Sequence, residues 1–270
     1  RKFFKMLELS PTERPVAVQL FGSDPASLAL AARAAIEAGA AAIDLNAGCP
    51  VKKILRNGAG AALMKKPLLL AEIARAILKC VKVPLMVKLR PGWTETELLS
   101  PELAKMMEAE GVSALTLHGR SVSCMHAGPI NLEALRLTAA AVKIPVIGNG
   151  GVTGGAQARA ILETGCAGVA IGRGAVYNPA IFREIAGELG GPAAPRLDSA
   201  GRIKLFLRFL ELNAGFYGEK RGLASARKLA GYWLKGLPGS AAARASFMRL
   251  ETLKEARELL VQYTEEANSK

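Results

Sequence analysis

Six short apolar segments recur along the chain, and each ends on, or is followed by, a glycine or a polar residue. Apolar runs of this length are typical of parallel strands that are buried on both faces. The segments span residues 16–21, 42–46, 84–89, 114–118, 145–149 and 168–172. Helical patterns lie between them, so the chain alternates strand and helix.

The helical pattern at residues 25–38 shows how these units begin and end. Asp24 is suited to cap the helix, Pro25 to its first position, and Gly39 to the left-handed residue that stops it. Repeated βα units of this size predict a (β/α)8 barrel of the TIM type. A doubly wound open sheet is the alternative, but the turn after the first strand lacks the G-x-G-x-x-G fingerprint common in that fold.

Polar residues gather at the carboxyl ends of the predicted strands, where barrel enzymes carry their catalytic groups. This pattern is unfavourable in a purely structural scaffold, because buried polar groups cost free energy unless they are paired. The residues are Gln19, Asn46, Cys49, Lys88, Arg90, His118, Arg120, Asn149 and Arg173. We expect the active site among them.

Cys49 stands in a rigid turn between Gly48 and Pro50, directly after the second strand. An unperturbed thiol has a pKa of roughly 8.5 and is mostly protonated at neutral pH, so it can act as an acid or, if its pKa is lowered, as a nucleophile. A lone cysteine also commonly packs as a small hydrophobic residue. The turn alone leaves both interpretations open.

Two glycine-rich turns, at residues 148–151 and 172–174, follow the last two strands. Barrels commonly bind a phosphate at this location through backbone N–H groups, and Arg173 would add a charged fork. The phosphate could belong to a substrate or to flavin mononucleotide (FMN).

Lys88 lies on an otherwise apolar strand and suits either a Schiff base or a fixed positive charge beside a flavin ring.

The charge of the chain favours a polyanionic partner. The 270 residues carry a formal charge of +13, from 36 Lys and Arg against 23 Asp and Glu. A basic surface that only aids solubility is the simpler explanation. Residues 196–270 have helical spacing and contain 14 Lys and Arg against 8 Asp and Glu. We therefore predict a partial barrel at residues 1–189, a linker at 190–195 and a basic helical domain at 196–270.

The four cysteines form no C-x-x-C pair, and no nearby His-x-His cluster accompanies them. This pattern argues against both a disulfide framework and a zinc site, and favours a reducing compartment. No signal peptide is visible, and no uncharged run is long enough to span a bilayer. We expect a monomeric, metal-free, cytoplasmic protein without a membrane partner.

Taken together, the motifs resemble those of the tRNA-dihydrouridine synthases, a family of flavin-dependent barrel enzymes. The resemblance covers nearly the whole chain. The matching segments, in order, are residues 16–22, 44–50, 58–63, 87–90, 117–120, 148–151, 172–174, 217–222 and 233–238.

The resemblance implies reduction of uridine to 5,6-dihydrouridine in tRNA, with NADPH as the reductant of the flavin. It implies that hydride passes from flavin N5 to uracil C6, while Cys49 acts as the proton donor to C5. We expect the FMN-binding residues to be Gln19, Lys88, His118, Asn149, Gly150, Gly151, Gly172 and Arg173.

We expect a second set of residues to contact the base or the RNA backbone. The set is Asn46, Lys53, Arg90, Arg120, Lys220, Arg221, Arg227 and Lys228. Lys220 to Lys228 lie within about two helical turns and could follow an RNA backbone. Lys53 follows the cysteine turn directly, and Gly58 and Gly60 would let its loop close over the base.

The chain also departs from the family pattern. A full barrel needs two more βα units before the first strand, so we expect an N-terminally truncated barrel that binds FMN weakly on its own. After Arg120, Ser121 and Val122 stand where the family pattern has Thr and Arg, which removes a charge near the substrate mouth.

Two alternative functions are a flavin dehydrogenase of free pyrimidines, of the dihydroorotate type, and an inactive RNA-binding fragment. The basic helical domain argues against the free-pyrimidine enzyme.

Overall fold

A computed structural model describes residues 7–192, 196–236 and 239–268. The chain divides into two compact units. The first runs to Val152 and also includes Ala156–Gly172, and the second contains Thr153–Gly155 and the chain from Arg173 onward. None of the described helices is both long enough and apolar enough to cross a membrane.

The first unit is built on a parallel sheet with its strands in chain order, β1 to β6. The strands are β1 (Ala17–Leu20), β2 (Ala42–Asn46), β3 (Leu85–Leu89), β4 (Ala114–His118), β5 (Val146–Asn149) and β6 (Gly168–Ala170). The helices are α1 (Pro25–Glu37), α2 (Lys52–Arg56), α3 (Pro67–Cys80), α4 (Ser100–Ala109), α5 (Leu132–Ala140) and α6 (Gly155–Leu162), with 3₁₀ turns at Pro11–Glu13 and Gly60–Lys65. All six predicted strands are confirmed to within two residues at each end.

The local signals around α1 are also confirmed. Asp24 accepts a hydrogen bond from the backbone N–H of Ser27 at 2.7 Å, and Pro25 is the first helical residue. Gly39 has φ of 100°, a left-handed conformation that glycine adopts without strain.

The strand order distinguishes the two folds that the sequence left in competition. Crossovers between parallel strands are almost always right-handed, so strands laid down in one direction place their helices on the same side of the sheet. A doubly wound sheet instead reverses its direction and covers both faces. The order β1 to β6 is therefore that of a barrel-type sheet. Closure into eight strands and the missing first two units stay predictions.

The two faces of this sheet differ in polarity, because alternate side chains of a strand point in opposite directions. One face carries fully buried apolar residues, including Ile43, Leu45, Leu85 and Val87. The opposite face carries Asp44, Asn46, Lys88, Thr116, His118 and Asn149. Strand register brings Asn46 beside Lys88, and His118 beside Asn149. We call this second set the polar face.

The second unit is helical. Its helices are α7 (Arg173–Tyr177), α8 (Ile181–Glu188), α9 (Ser199–Tyr217), α10 (Glu219–Trp233), α11 (Ser240–Phe247) and α12 (Leu253–Asn268). Phe206 and Phe247 are fully buried at its core, with ring centroids 5.3 Å apart. Trp233 packs against Phe206 from α10, so α9, α10 and α11 share one apolar centre.

The boundary between the units falls at residues 172–173 instead of the predicted 189–190. The reason is that α7 and α8 are bonded to later parts of the chain. The indole of Trp233 donates to the carbonyl of Val176 at 2.9 Å, and Tyr177 stacks on Tyr232 at 4.0 Å. Glu184 accepts from the N–H of Leu197 at 3.3 Å. Residues 193–195 of the predicted linker lie outside the described residues.

Gly148 in β5 leads to a prediction about packing. A Cβ at this position would lie 2.2 Å from Cγ2 of Ile161, whereas a Cβ at Gly168 in β6 would meet no atom within 4 Å. Gly148→Ala should destabilise the fold by about 1–3 kcal/mol through overpacking, and Gly168→Ala should change stability much less. Urea unfolding followed by circular dichroism measures both. Equal midpoints for the two variants would contradict this account of the β5 packing.

Candidate active site

The turn that carries Cys49 is fixed by hydrogen bonds to three separate segments. Asn46 Oδ1 accepts from the backbone N–H groups of Gly48 at 3.1 Å and Cys49 at 3.0 Å. Arg90 Nε donates to the Gly48 carbonyl at 2.8 Å, and the Ala61 N–H donates to the Cys49 carbonyl at 3.0 Å. The Cys49 side chain, which is half-buried, therefore starts from a defined backbone.

Gly60 packs directly against this turn. A Cβ at position 60 would lie 2.8 Å from the Cys49 carbonyl oxygen and 3.0 Å from the Cys49 Cβ, and φ of Gly60 is 62°. Glycine is needed here for close approach and for a left-handed backbone. The structure thus gives Gly60 a packing role, which differs from the loop freedom that the sequence suggested.

A chain of amide hydrogen bonds runs across the polar face toward Cys49. Gln19 Nε2 donates to Asp44 Oδ2 at 2.6 Å, and Asn46 Nδ2 donates to Gln19 Oε1 at 2.8 Å. Because an ionised carboxylate only accepts hydrogen bonds, Asp44 fixes which end of each amide faces which partner. Asp44 therefore helps to direct the Asn46 oxygen toward the cysteine turn.

Asp44 is the site residue that the sequence did not single out. Burial raises the pKa of its carboxyl group, while the hydrogen bond from Gln19 and the charge of Lys88 act in the opposite direction. Its Oδ1 atom is buried and has no hydrogen-bond partner among the described residues. The sequence did contain a signal for Asp44. It lies two positions before Asn46 in β2, and alternate residues of a strand point to the same face.

Lys88 and Asn149 link β3 to β5 across the polar face. Lys88 Nζ donates to Asn149 Oδ1 at 2.9 Å, and Asn149 Nδ2 donates to the Ala170 carbonyl at 2.7 Å. Burial lowers the pKa of Lys88 from 10.5 to about 8, with Asp44 opposing this shift and Arg90 adding to it. The hydrogen bond to Asn149 therefore fixes the position of the Lys88 amine. Because its pKa is about 8, its charge depends on the ligands and charges around it.

His118 and Arg120 border the turn formed by Gly150 and Gly151. A Cβ on Gly150 would lie 3.5 Å from the His118 ring, and one on Gly151 would lie 3.3 Å from Arg120 Nη2. Both glycines have positive φ. Arg120 Nε donates to the Gly128 carbonyl at 2.8 Å, while Arg120 Nη1 and His118 Nδ1 are buried without a partner in the part of the chain that the structure describes.

The charge state of His118 follows from its surroundings. Burial is the main cause that lowers the pKa of His118 from 6.5 to about 3, and the nearby charges of Arg90, Lys88 and Arg120 add to the effect. The ring is therefore neutral at any physiological pH. A neutral imidazole offers one donor and one acceptor nitrogen to a ligand.

Two predicted RNA contacts, Arg90 and Arg227, donate hydrogen bonds to backbone carbonyls of the protein. Arg90 is 2% exposed and donates to four backbone carbonyls, so it is not available on a surface. Arg227 is half-buried and its Nη2 donates to the Leu250 carbonyl at 3.0 Å. The structure therefore gives Arg90 a structural role, because a buried guanidinium that leaves its carbonyl partners would lose strong hydrogen bonds. Arg227 stays a predicted RNA contact.

The remaining predicted residues are exposed. Lys53 lies on α2, and Gly172 and Arg173 lie at the end of the first unit and the start of the second. Lys220, Arg221 and Lys228 lie on α10. The first unit therefore brings together Gln19, Asn46, Cys49, Lys88, Arg90, His118, Arg120, Asn149, Gly150 and Gly151. Within the described ranges, no group of three metal-ligating side chains occurs.

Comparison with known proteins identifies the family of this chain. Residues 1–268 match the family model described as dihydrouridine synthase. The chain is 39% identical to tRNA-dihydrouridine synthase B of Proteus vulgaris over 250 residues, which are 92% of this chain and 77% of the relative. The chain belongs to the dihydrouridine synthase family.

A second relative gives the same result. Identity to tRNA-dihydrouridine synthase B of Pseudomonas putida is 40% over 241 residues, or 88% of this chain and 71% of the relative. The family consists of flavin-dependent oxidoreductases, so the chain is an enzyme of that type. The resemblance inferred from the sequence motifs is thereby confirmed.

The electrostatic interaction between Asp44 and Lys88 gives a prediction about the pKa of Lys88. Since the charge of Asp44 raises the pKa of Lys88, Asp44→Asn should move the pKa of Lys88 below its value of about 8. Titration of carbon-13-labelled lysine by NMR measures this pKa. Glu102→Gln, which removes an exposed acid on α4, serves as the control and should leave Lys88 unchanged. An unchanged Lys88 pKa in Asp44→Asn would rule out this coupling.

Proposed function

We propose that this enzyme reduces uridine in tRNA to 5,6-dihydrouridine, with FMN as the bound cofactor, NADPH as its reductant and Cys49 as the proton donor. The observation that carries the proposal is the position of a fixed thiol turn beside the Lys88–Asn149 pair, at the carboxyl ends of adjacent strands. Family membership supports a flavin as the group bound there.

The residues on the polar face fit a flavin nucleotide. Its ring carries hydrogen-bond donors and acceptors and its phosphate carries negative charge, and the site offers matching groups that the protein leaves unpaired. These are Asp44 Oδ1, His118 Nδ1 and Arg120 Nη1. Buried polar atoms without partners are rare in native proteins and indicate a missing ligand or water. When bound in reduced form, FMN supplies a hydride for the reduction of the base.

Each side chain of the polar face would have a separate task toward this cofactor. Lys88 would provide positive charge beside the electron-rich edge of the ring, where Asn149 holds its ammonium group. Gln19 would offer the free positions of its amide, whose orientation Asp44 sets. The backbone at Gly150 and Gly151 would approach the phosphate closely, because neither residue carries a Cβ there.

Gly172 and Arg173 are also predicted contacts of the FMN phosphate. Both are exposed, and Arg173 is the first residue of α7. A guanidinium group can bind a phosphate through two parallel hydrogen bonds, which gives direction as well as charge. We keep the two residues as proposed FMN contacts.

Cys49 suits the role of a positioned acid. General acid catalysis requires the donor to stand within hydrogen-bond reach of the atom that receives the proton. Asn46 Oδ1 accepts from the Cys49 N–H, and Arg90 and Ala61 donate to the carbonyls of Gly48 and Cys49, so the backbone on both sides of the thiol is fixed. Proton transfer from Cys49 Sγ to C5 of the uracil ring would complete the reduction. Asn46 and Arg120 would contact the base.

A uracil in folded tRNA must be unstacked before it can enter such a site, at a cost of a few kcal/mol. Contacts to the RNA backbone can offset this cost. In the second unit, Lys220, Arg221 and Lys228 are exposed on α10, and the seven-residue spacing of Arg221 and Lys228 places those two along one side of the helix. Lys53 would add a contact close to the cysteine turn. Binding through such residues should weaken strongly as salt concentration rises.

The test of this proposal separates proton donation from cofactor binding. With FMN supplied in excess, Cys49→Ala should bind flavin and oxidise NADPH like the wild type, but dihydrouridine formation in tRNA should fall by about 10²- to 10⁴-fold, because the acid is lost. Mass spectrometry of digested tRNA measures the product.

The matched control is Cys80→Ala, which removes an exposed thiol at the end of α3. This variant should form dihydrouridine at the wild-type rate. Wild-type yield in Cys49→Ala would remove Cys49 from the acid role. If the wild-type protein bound tRNA but carried no flavin and formed no product, the RNA-binding alternative would replace the proposal.

A further inference from the structure

Arg90 is a buried cation that donates hydrogen bonds to four backbone carbonyls. Its Nε donates to the Gly48 carbonyl at 2.8 Å. Its Nη1 donates to the carbonyls of Arg120 at 3.1 Å, Ser121 at 2.8 Å and Met125 at 2.7 Å. One guanidinium therefore joins two backbone segments, the cysteine turn after β2 and the loop after β4, which are separated in the sheet by β3.

The loop at the other end of this connection is strained. Met125 has φ of 51° and is the one non-glycine with a positive φ among the described residues. A side chain in this conformation costs free energy and persists only where surrounding contacts hold it. The Met125 carbonyl is one of the four that Arg90 holds, and the same loop begins at Arg120. Arg90 thus fixes a conformation that the loop would not prefer alone.

No other side chain type could make this set of contacts. Arginine presents its donors in a rigid planar fork, whereas lysine has a single ammonium group on a flexible stem. A lysine at position 90 would keep the positive charge but could not reach the Gly48 carbonyl and the loop carbonyls together. The charge and the connection can therefore be separated by experiment.

We infer that Arg90 is a positioning residue that couples the Cys49 turn to the Arg120–Met125 loop, so that the proton donor and Arg120, the proposed base contact, keep one relative geometry. This inference rests on the proposed function. It replaces the substrate contact that the sequence suggested for Arg90. Arg90 acts through the backbone of Gly48 and of the loop. Its four hydrogen bonds go to backbone carbonyls, and none of them involves Lys88 or Asn149.

The first test uses Arg90→Lys in the full chain. Flavin reduction by NADPH should stay near the wild-type rate, since Lys88 and Asn149 are unchanged. Transfer from pre-reduced enzyme to tRNA should fall by about 10²-fold, because a displacement of the acid by about 1 Å is enough for such a loss. Arg75→Lys, at an exposed arginine on α3, is the control and should behave as wild type.

A second readout does not depend on activity. Alkylation by iodoacetamide, measured by peptide mass spectrometry, compares Cys49 with the exposed Cys80 in the same molecule. In Arg90→Lys the Cys49-to-Cys80 ratio should rise about threefold or more, because the turn opens more often. If the wild-type enzyme formed no dihydrouridine, the proposed function would fail, and this ratio would still decide the role of Arg90.

A pair of loop variants keeps the inference testable if Arg90→Lys does not fold. Met125→Pro cannot adopt a positive φ, so it withdraws the carbonyl from Arg90, whereas Met125→Gly keeps the conformation and removes the side chain. Met125→Pro should reproduce both effects of Arg90→Lys, and Met125→Gly should reproduce neither. Wild-type alkylation ratios and wild-type tRNA reduction in Arg90→Lys, or in Met125→Pro, would overturn the inference.

Discussion

The hydrogen bond from Lys88 to Asn149 is the interaction on which the organisation of the site depends. It joins β3 to β5 over the intervening strand β4. Two strand spacings amount to roughly 10 Å, so a direct contact requires both side chains to lean toward each other over one face of the sheet. Gln19 and Asp44 lie on the two strands before β3, and His118 lies on β4, between the two bonded residues.

Burying polar groups costs free energy unless they are paired. This site pairs some of them within the sheet face and leaves Asp44 Oδ1, His118 Nδ1 and Arg120 Nη1 without a partner among the described residues. Asp44 is the one acid of the polar face and interacts electrostatically with Lys88, while Arg90 and Arg120 add two further cations to the site. An excess of positive charge in a partly dry space favours an anionic ligand and disfavours the protonated form of His118. The low pKa of His118 and the lowered pKa of Lys88 have the same two causes, burial and neighbouring cations.

The sequence predicted the parts of this structure that local rules determine. The strands followed from apolar runs, the start of α1 from Asp24 and Pro25, and its end from Gly39. The cysteine turn and the glycine-rich turns were recognisable as motifs. Arg90 was misjudged because it looks like a surface cation in the sequence, and only the packed structure shows that backbone carbonyls use its donors. Asp44 was missed because its importance comes from Gln19 and Lys88, which lie far from it in the chain. The boundary at residue 172 depends on Trp233 and Tyr232, which are distant in the chain too.

The central claim is that the polar face around Lys88 binds a flavin. Titration of FMN, followed by quenching of its fluorescence, tests this directly in the wild-type protein, in Lys88→Met and in the control Lys79→Met at an exposed position of α3. The account predicts saturable binding by the wild type and the control, and affinity about tenfold lower or worse in Lys88→Met, because a buried charge-assisted contact is lost. Equal FMN affinity in all three proteins would contradict it.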